Sequence, residues 1–131
     1  MKSLRQTYKV KAPIDKVWEA LTNSQIIEKW GAGPAIMNED EGFVFSLWGG
    51  SIWGKNKKVI KNKLLIQDWY SGKWNEPSKV IFELTDKARY TEIILTQSNI
   101  PNKEFAKIKS GWRDYYLEPL KIYLESDSIS L

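Results

Sequence analysis

Residues 100–120 read IPNKEFAKIKSGWRDYYLEPL, and this stretch decides the fold. Apolar side chains recur three and four residues apart through it and just beyond it, which is the period of one face of an α-helix. They are Phe105, Ile108, Trp112, Tyr115, Tyr116, Leu120, Tyr123 and Leu124. The pattern predicts one long helix that begins near Pro101 and Asn102 and packs its aromatic face against a large apolar surface. Pro119 lacks the N–H that would bond the carbonyl of Tyr115, so the helix is expected to bend near its end.

The residues before this helix predict the surface that receives it. Residues 4–11 alternate between polar and apolar side chains, as in a strand with one buried face. Two short helices are expected next, one over residues 13–21 and one from the capping residues 22–24 to Trp30, closed by Gly31. Alternating, β-branched and aromatic segments then predict further strands. These cover residues 34–37 (a weak strand), 43–48, 52–60, 64–70, 78–85 and 90–97.

This order of elements predicts an α+β fold in one domain of 131 residues. Too few helices are present for parallel crossovers, so the sheet of about six to seven strands should be antiparallel and curved around the C-terminal helix. Residues 126–131 are expected to form a frayed tail. A sheet curved over a helix leaves room for a cavity between the two.

The composition argues against a conventional enzyme. The chain has no Cys and no His, which excludes thiol nucleophiles, Ser-His-Asp catalysis and the commonest metal ligands, and it has no phosphate-binding glycine loop. We therefore predict a non-enzymatic chain with no catalytic residues, metal or cofactor. Because Cys is absent and no segment resembles a signal peptide or a membrane span, we expect a cytoplasmic protein that does not insert into a membrane.

Aromatic side chains supply the candidate binding residues, since the chain has 7 Trp, 6 Tyr and 4 Phe. Pockets for small molecules are mostly apolar, with a few polar groups. The predicted cavity walls are Trp18, Trp30, Phe45, Trp48, Trp69, Trp74, Tyr90, Trp112 and Tyr116. Core packing is the alternative for all of them, and the cluster of Trp48, Trp53, Trp69 and Trp74 could equally form a contact patch or a cavity rim. Trp30 is expected to act as a lid over the cavity.

Asp68 is a candidate polar anchor, because it lies inside an apolar segment. If its side chain faces the cavity, it could act as an acid, a base or a hydrogen-bonding group. If it faces solvent, it has no such role. The pattern leaves both orientations open, since Ile66 and Tyr70 compete with Leu65 and Trp69 for the buried face.

The charged segments predict neither a nucleic-acid site nor a calcium site. Residues 55–63, KNKKVIKNK, and the net charge of +4 raise the question of nucleic acid. Val59 and Ile60 interrupt the run, however, and its lysines fall on both sides of a hairpin, where they would protect an edge strand, so we expect no nucleic-acid binding. Residues 39–41 lack the ligand spacing of a calcium loop.

Four segments carry a resemblance to a known family. APIDKVWEALTN at residues 12–23 resembles the opening of the helix-grip superfamily (START-like, Bet v-like, SRPBCC), which includes START-domain lipid carriers and polyketide cyclases. Residues 45–56 (FSLWGGSIWGKN), 67–78 (QDWYSGKWNEPS) and 99–121 (NIPNKEFAKIKSGWRDYYLEPLK) resemble the C-terminal domain of the activator of heat shock protein 90 ATPase. In the two-domain activators a separate N-terminal module makes much of the chaperone contact, and these segments match only the C-terminal domain.

The resemblance implies a helix-grip fold and two functional hypotheses. The first is a chaperone accessory protein that binds one conformational state of a heat shock protein 90 type chaperone. The lysines of residues 55–63 could then dock onto an acidic face of the chaperone, where they would steer association more than set affinity. The second is a carrier or sensor of a small hydrophobic molecule held between the sheet and the C-terminal helix. A weaker third hypothesis is a cyclase or hydrolase that uses Asp68, Glu118 or a Tyr hydroxyl. The oligomeric state is left open.

Overall fold

A computed structural model describes residues 1–129, with side chains through residue 126. Six strands form one sheet in the order β1-β6-β5-β4-β3-β2, and every neighbouring pair is antiparallel. The strands are β1 (Lys2–Val10), β2 (Val44–Leu47), β3 (Ile52–Ile60), β4 (Leu64–Ser71), β5 (Ser78–Asp86) and β6 (Thr91–Ile100). The predicted antiparallel α+β fold is therefore confirmed. The weak strand expected at residues 34–37 is reduced to a single bridge between Ile36 and Ser46.

The helices lie before and after the run of five strands. They are α1 (Ile14–Thr22), α2 (Ser24–Trp30), α3 (Phe105–Gly111) and α4 (Glu118–Ile129), with a 3-10 turn at Asn102–Glu104 and a π-helical turn at Trp112–Leu117. Residues 102–129 together form the C-terminal helix, and both α1 and α2 contact its last part, α4. The expected frayed tail overlaps the end of α4, and residues 130–131 lie outside the described part of the chain. No helix within residues 1–129 is both long and apolar enough to cross a lipid bilayer.

The boundary between α1 and α2 follows from local chemistry. The side-chain oxygen of Asn23 accepts hydrogen bonds from the backbone N–H groups of Gln25 and Ile26, at 2.9 and 3.1 Å. It thereby satisfies two donors that the first turn of α2 leaves free. Gly31 ends α2 at φ 118°, a conformation that favours glycine. The predicted cap and stop are confirmed.

The C-terminal helix is interrupted where a bend is predicted. The N–H of Glu118 bonds the carbonyl of Arg113, five residues back, so the turn just before Pro119 is wider than an α-helical turn. Proline cannot donate to the carbonyl four residues back, and a π-helical turn is one way to accommodate that missing bond. The wide turn also brings Trp112, Tyr116 and Leu117 together on the buried side.

The sheet has one face covered by the helices and one face turned away from them. On β4 the odd-numbered Leu65, Gln67 and Trp69 are buried, whereas their even-numbered neighbours are only half-buried. Alternation along a strand therefore places Trp69 toward the C-terminal helix and Asp68 on the other side. We call these the inner and the outer face of the sheet.

Candidate functional site

A cavity of about 410 Å³ lies between the inner face of the sheet and the first half of the C-terminal helix. Its walls are mainly aromatic and aliphatic, with a few polar groups. They are formed by Trp48, Ser51, Ile52, Trp69, Ser71, Trp74, Gln97, Glu104, Lys107, Ile108, Gly111, Trp112, Tyr115 and Tyr116. A volume of this size falls within the range of small-molecule sites in proteins.

The inner wall is a cluster of aromatic rings contributed by the sheet and the C-terminal helix. The centroid of the Trp112 ring lies 4.8 Å from that of Trp69 and 4.9 Å from that of Tyr116. Phe82 on β5 supports this cluster from the sheet, 5.6 Å from Tyr116. The rings of the first two pairs are tilted by 35° and 56°, an arrangement that interlocks them. The cluster is therefore a preformed apolar surface.

Buried amides hold the two indoles in place. Nε1 of Trp112 donates to Oε1 of Gln97 at 2.7 Å, and Nε1 of Trp69 donates to Oε1 of Gln67 at 2.8 Å. Nε2 of Gln67 in turn donates to Oδ1 of Asn56 at 2.9 Å. Because buried polar groups are costly when unpaired, this network fixes the orientation of both rings and leaves apolar ring surface for the cavity.

The mouth of the cavity carries the charged groups. Nε1 of Trp74, in the loop between β4 and β5, donates to Oε2 of Glu104 at 2.6 Å, and Lys107 lies one helical turn away. Tyr115 is 68% exposed and completes this rim. The site thus has an apolar interior and a polar opening.

Trp48 lines the cavity in a backbone conformation that is unusual for a large side chain. Its φ is 49°, and it is followed by Gly49 at φ 65° and Gly50 at φ 99°. Non-glycine residues in this region carry strain, and such positions are frequent at binding sites. The turn places the Trp48 ring edge-on to Tyr116, with 6.3 Å between centroids.

The structure brings five of the nine predicted wall residues to the cavity. These are Trp48, Trp69, Trp74, Trp112 and Tyr116. Trp18 and Phe45 are fully buried in the core instead. Tyr90 lies at the β5–β6 connection, beneath the Nζ of Lys9 at 5.3 Å from its ring centroid. Trp69, Trp112 and Tyr116 lie on periodic elements, whereas Trp48 and Trp74 reach the cavity from connections between strands.

Trp30 is a core residue and does not form the expected lid. Its side chain is 5% exposed, and its Nε1 donates to the carbonyl of Ala20 at 2.8 Å. The ring packs 4.7 Å from that of Tyr116, centroid to centroid, but is absent from the cavity lining. The hydrogen bond to α1 holds it inside the packing of the two short helices.

Asp68 does not reach the cavity, because it lies on the outer face. Its neighbours in register are Lys55 and Lys79, and its Oδ2 is 3.9 Å from Nζ of Lys57. The cavity anchor is therefore ruled out by the parity of β4. Glu118 is also absent from the lining, so the acidic residues considered for a cyclase or hydrolase lie elsewhere. Within the described residues no three acidic side chains converge as a metal site would require.

The polar residues of the site were not anticipated from the sequence. Gln67 and Gln97 are 1% and 2% exposed, and each orients an indole of the cavity wall. A glutamine inside an apolar segment is the signal that could have identified Gln67, since a buried amide needs a partner, whereas Gln97 lies between Thr96 and Ser98 and gave no such signal. Glu104 and Lys107 sit on the polar side of the helical pattern, which carried no such signal.

The buried hydroxyl of Tyr116 makes the stability of the folded chain depend on pH. Burial raises the pKa of its hydroxyl well above the ordinary value of 10.0. The folded chain therefore keeps this proton at a pH where the unfolded chain releases it. This contribution to stability is complete below about pH 10 and is lost as the pH rises, by up to about 1.4 kcal/mol per pH unit.

We expect Tyr116→Phe to flatten the alkaline side of the stability profile. The free energy of unfolding, measured by denaturant titration at about pH 9 and about pH 11, should fall less in the variant than in the parent chain. The difference isolates this hydroxyl from the other tyrosines and lysines. Parallel losses in the two proteins would show that Tyr116 ionises normally in the folded state.

Residues 11–125 match the family described as Activator of Hsp90 ATPase homolog 1-like protein. The match covers most of the chain, including every element that forms the cavity. The chain belongs to this family. Among Hsp90 ATPase activator-like proteins it is 28% identical over 113 residues to the activator of 90 kDa heat shock protein ATPase homolog of Dictyostelium discoideum, and 25% identical over 109 residues to homolog 1 of Homo sapiens. These matches cover 84% and 82% of this activator-like chain but 29% and 32% of the relatives, so it spans about a third of their length.

A solved structure of similar extent supports the same assignment. The crystal structure of an HSP90 activator from Plasmodium falciparum has a TM-score of 0.85 and 27% sequence identity to this activator-like chain. The alignment covers 95% of this chain and 97% of that one. The helix-grip fold and the family predicted from the sequence are both confirmed.

Proposed function

We propose that this chain is a non-catalytic accessory domain that binds an Hsp90-type chaperone and stimulates its ATPase. The observation that carries the proposal is the nearly end-to-end match to the HSP90 activator of Plasmodium falciparum. A cytoplasmic location is part of the proposal, since a chain without Cys fits a reducing compartment.

The mechanism follows from binding alone. A partner with no catalytic residues accelerates ATP hydrolysis only if it binds the hydrolysis-competent conformation more tightly than the resting one. A tenfold preference corresponds to about 1.4 kcal/mol and shifts the population of the two states by the same factor. Contacts outside any active site can supply such a difference.

Binding to the chaperone tests the proposal. The labelled chain is titrated with the Hsp90 homologue of its own source organism, with and without a non-hydrolysable ATP analogue. We expect saturable binding that is tighter with the analogue, because the analogue populates the hydrolysis-competent state. The absence of binding in both conditions would refute the proposal.

We propose as a second function that the cavity holds a small hydrophobic molecule. The specific observation in its favour is the aromatic-walled volume of about 410 Å³ with a polar mouth. The indole N–H groups of Trp69 and Trp112 already have hydrogen-bond partners, so the ring surface that they offer to a ligand is mainly apolar. Mass spectrometry of the gently purified protein would identify a molecule that copurifies with it.

Gly111→Leu is the sharpest variant for this second function. Gly111 lines the cavity in helical conformation. A Cβ added to it would have Cδ2 of Tyr115 as its nearest neighbour, at 3.9 Å, which is an ordinary van der Waals contact. A larger side chain can therefore enter the cavity. We expect it to reduce binding of the neutral apolar dye N-phenyl-1-naphthylamine by about tenfold or more. Ser110→Leu is the control, because it adds the same side chain at a neighbouring exposed position outside the lining. Equal dye binding by both variants would contradict a ligand site here.

A further inference from the structure

The outer face of the sheet carries a second aromatic and aliphatic surface. Trp53 on β3 and Tyr70 on β4 are direct neighbours in register, and their rings stack with 5.9 Å between centroids and 7° between planes. Beside them, Val44 on β2 is 66% exposed and Ile36 is 58% exposed. We call these four residues the outer-face patch. It lies on the opposite side of the sheet from the cavity.

The register explains why these side chains form one surface. Trp53 lies opposite Ser46, and Ser46 is bridged to Ile36, so the three point to the same side. Val44 is two residues before Ser46 and is therefore a diagonal neighbour of Trp53. Outer faces of antiparallel sheets are usually polar, so a stacked Trp–Tyr pair flanked by exposed aliphatic residues marks an interaction surface.

A row of charges borders the patch. Lys55, Asp68 and Lys79 lie side by side on β3, β4 and β5, and Nζ of Lys57 is 3.9 Å from the same carboxylate. The row and Lys57 thus contribute three lysines and one carboxylate, so this part of the outer face is net positive. Its complement is a protein surface that offers carboxylates beside an apolar centre.

The same features argue against other occupants. A second copy of the chain would bring two net-positive rows together, which is unfavourable. The central carboxylate of Asp68 would repel phosphate groups, and the aliphatic side chains of Val44 and Ile36 offer no stacking surface to bases, so a nucleic acid fits less well. Trp and Tyr, in contrast, are the residues most enriched at the centres of protein interfaces.

We propose that the outer-face patch is the surface through which this chain docks onto an acidic face of the chaperone. This inference rests on the proposed chaperone function and assigns the contact to particular residues. The stacked pair forms the apolar centre of the interface, and the lysine row steers the encounter. The cavity on the inner face then remains accessible in the complex.

Substitutions in the patch test the inference in the chaperone-binding titration. We expect Trp53→Ser and Val44→Glu each to weaken binding by about tenfold or more, because they remove an aromatic anchor or place a carboxylate against an acidic partner. Val44 is exposed, so its variant keeps the fold if Trp53→Ser proves unstable. Ile60→Glu is the matched control, since Ile60 is 41% exposed at the other end of β3.

Charge reversal provides an independent readout. Lys79→Glu should slow association and reduce its dependence on salt, whereas Arg5→Glu, at the exposed Arg5 on β1, should change neither. If the parent chain binds and the patch variants bind equally well, the patch is not the docking surface although the chaperone function stands. If the parent chain does not bind, both proposals fail. Binding to a single-stranded oligonucleotide that competes with the chaperone would also overturn the inference.

Discussion

Gly54→Ala is expected to lower the free energy of unfolding by about 3 kcal/mol or more, the upper end of the cost of overpacking a core. Gly54 is a buried residue of β3 between Phe45 on β2 and Trp69 on β4, its partners in register. A Cβ at this position would overlap the carbonyl oxygen of Asp68 and lie 2.9 Å from Cζ of Phe45. The backbone of β4 cannot give way without breaking its pairing with β3.

Because Gly54 has no side chain, the rings of Phe45 and Trp69 can approach each other. They lie on either side of Gly54, with 6.1 Å between ring centroids. A methyl group between them would push apart the wall that carries Trp69 into the cavity. We therefore expect Gly54→Ala to lose binding at the cavity as well as stability.

Denaturant titration checks this expectation against a matched glycine. Gly111→Ala should raise the free energy of unfolding by about 1 kcal/mol, because Gly111 is helical and a Cβ there would make only an ordinary contact, 3.9 Å from Cδ2 of Tyr115. The two substitutions are chemically identical and should act in opposite directions. An unchanged unfolding midpoint for Gly54→Ala would contradict the close packing of β3 on β4.

Trp30→Ala is expected to cost about 3–5 kcal/mol, the usual range for deleting a large aromatic side chain from a core. The ring is buried against Tyr116, and its loss also leaves the carbonyl of Ala20 without the indole donor. A loss of this size approaches the whole stability of a marginal domain. The variant should therefore unfold at markedly lower denaturant.

Trp74→Ala provides the contrast, because Trp74 is half-buried at the cavity mouth. Its removal should cost about 1 kcal/mol or less in stability, since it deletes little buried surface and one rim hydrogen bond. Circular dichroism and denaturant titration of the two variants give the comparison. Equal stability losses would show that Trp30 is not part of the core, or that Trp74 is.

The sequence could predict the strands and helices but not which face of β4 is buried. Leu64, Ile66 and Tyr70 are as apolar as Leu65 and Trp69, so periodicity alone does not choose between them. The choice depends on Gln67, which is buried only because Asn56 and Trp69 supply its hydrogen bonds. Asn56 lies on β3 and reaches Gln67 only through the register of β3 with β4, which a single sequence does not display.

Helical periodicity predicted the C-terminal helix correctly and missed its wide turn. Pro119 indicated a bend, but not that the chain would place an extra residue in the turn at Trp112–Leu117. The same periodicity located Trp112 and Tyr116 at the cavity. Trp18 and Trp30 were misplaced because the packing of α1 and α2 against α4 decides their surroundings, and that packing is not encoded in local spacing.

The ATPase rate of the Hsp90 homologue from the source organism, measured with increasing amounts of this chain, tests the central claim most directly. The account predicts a saturable increase in the rate, with a midpoint that shifts to higher concentration for Val44→Glu and stays unchanged for Ile60→Glu. An ATPase rate that remains constant while the chain is bound at saturation would contradict the proposal that it stimulates the chaperone.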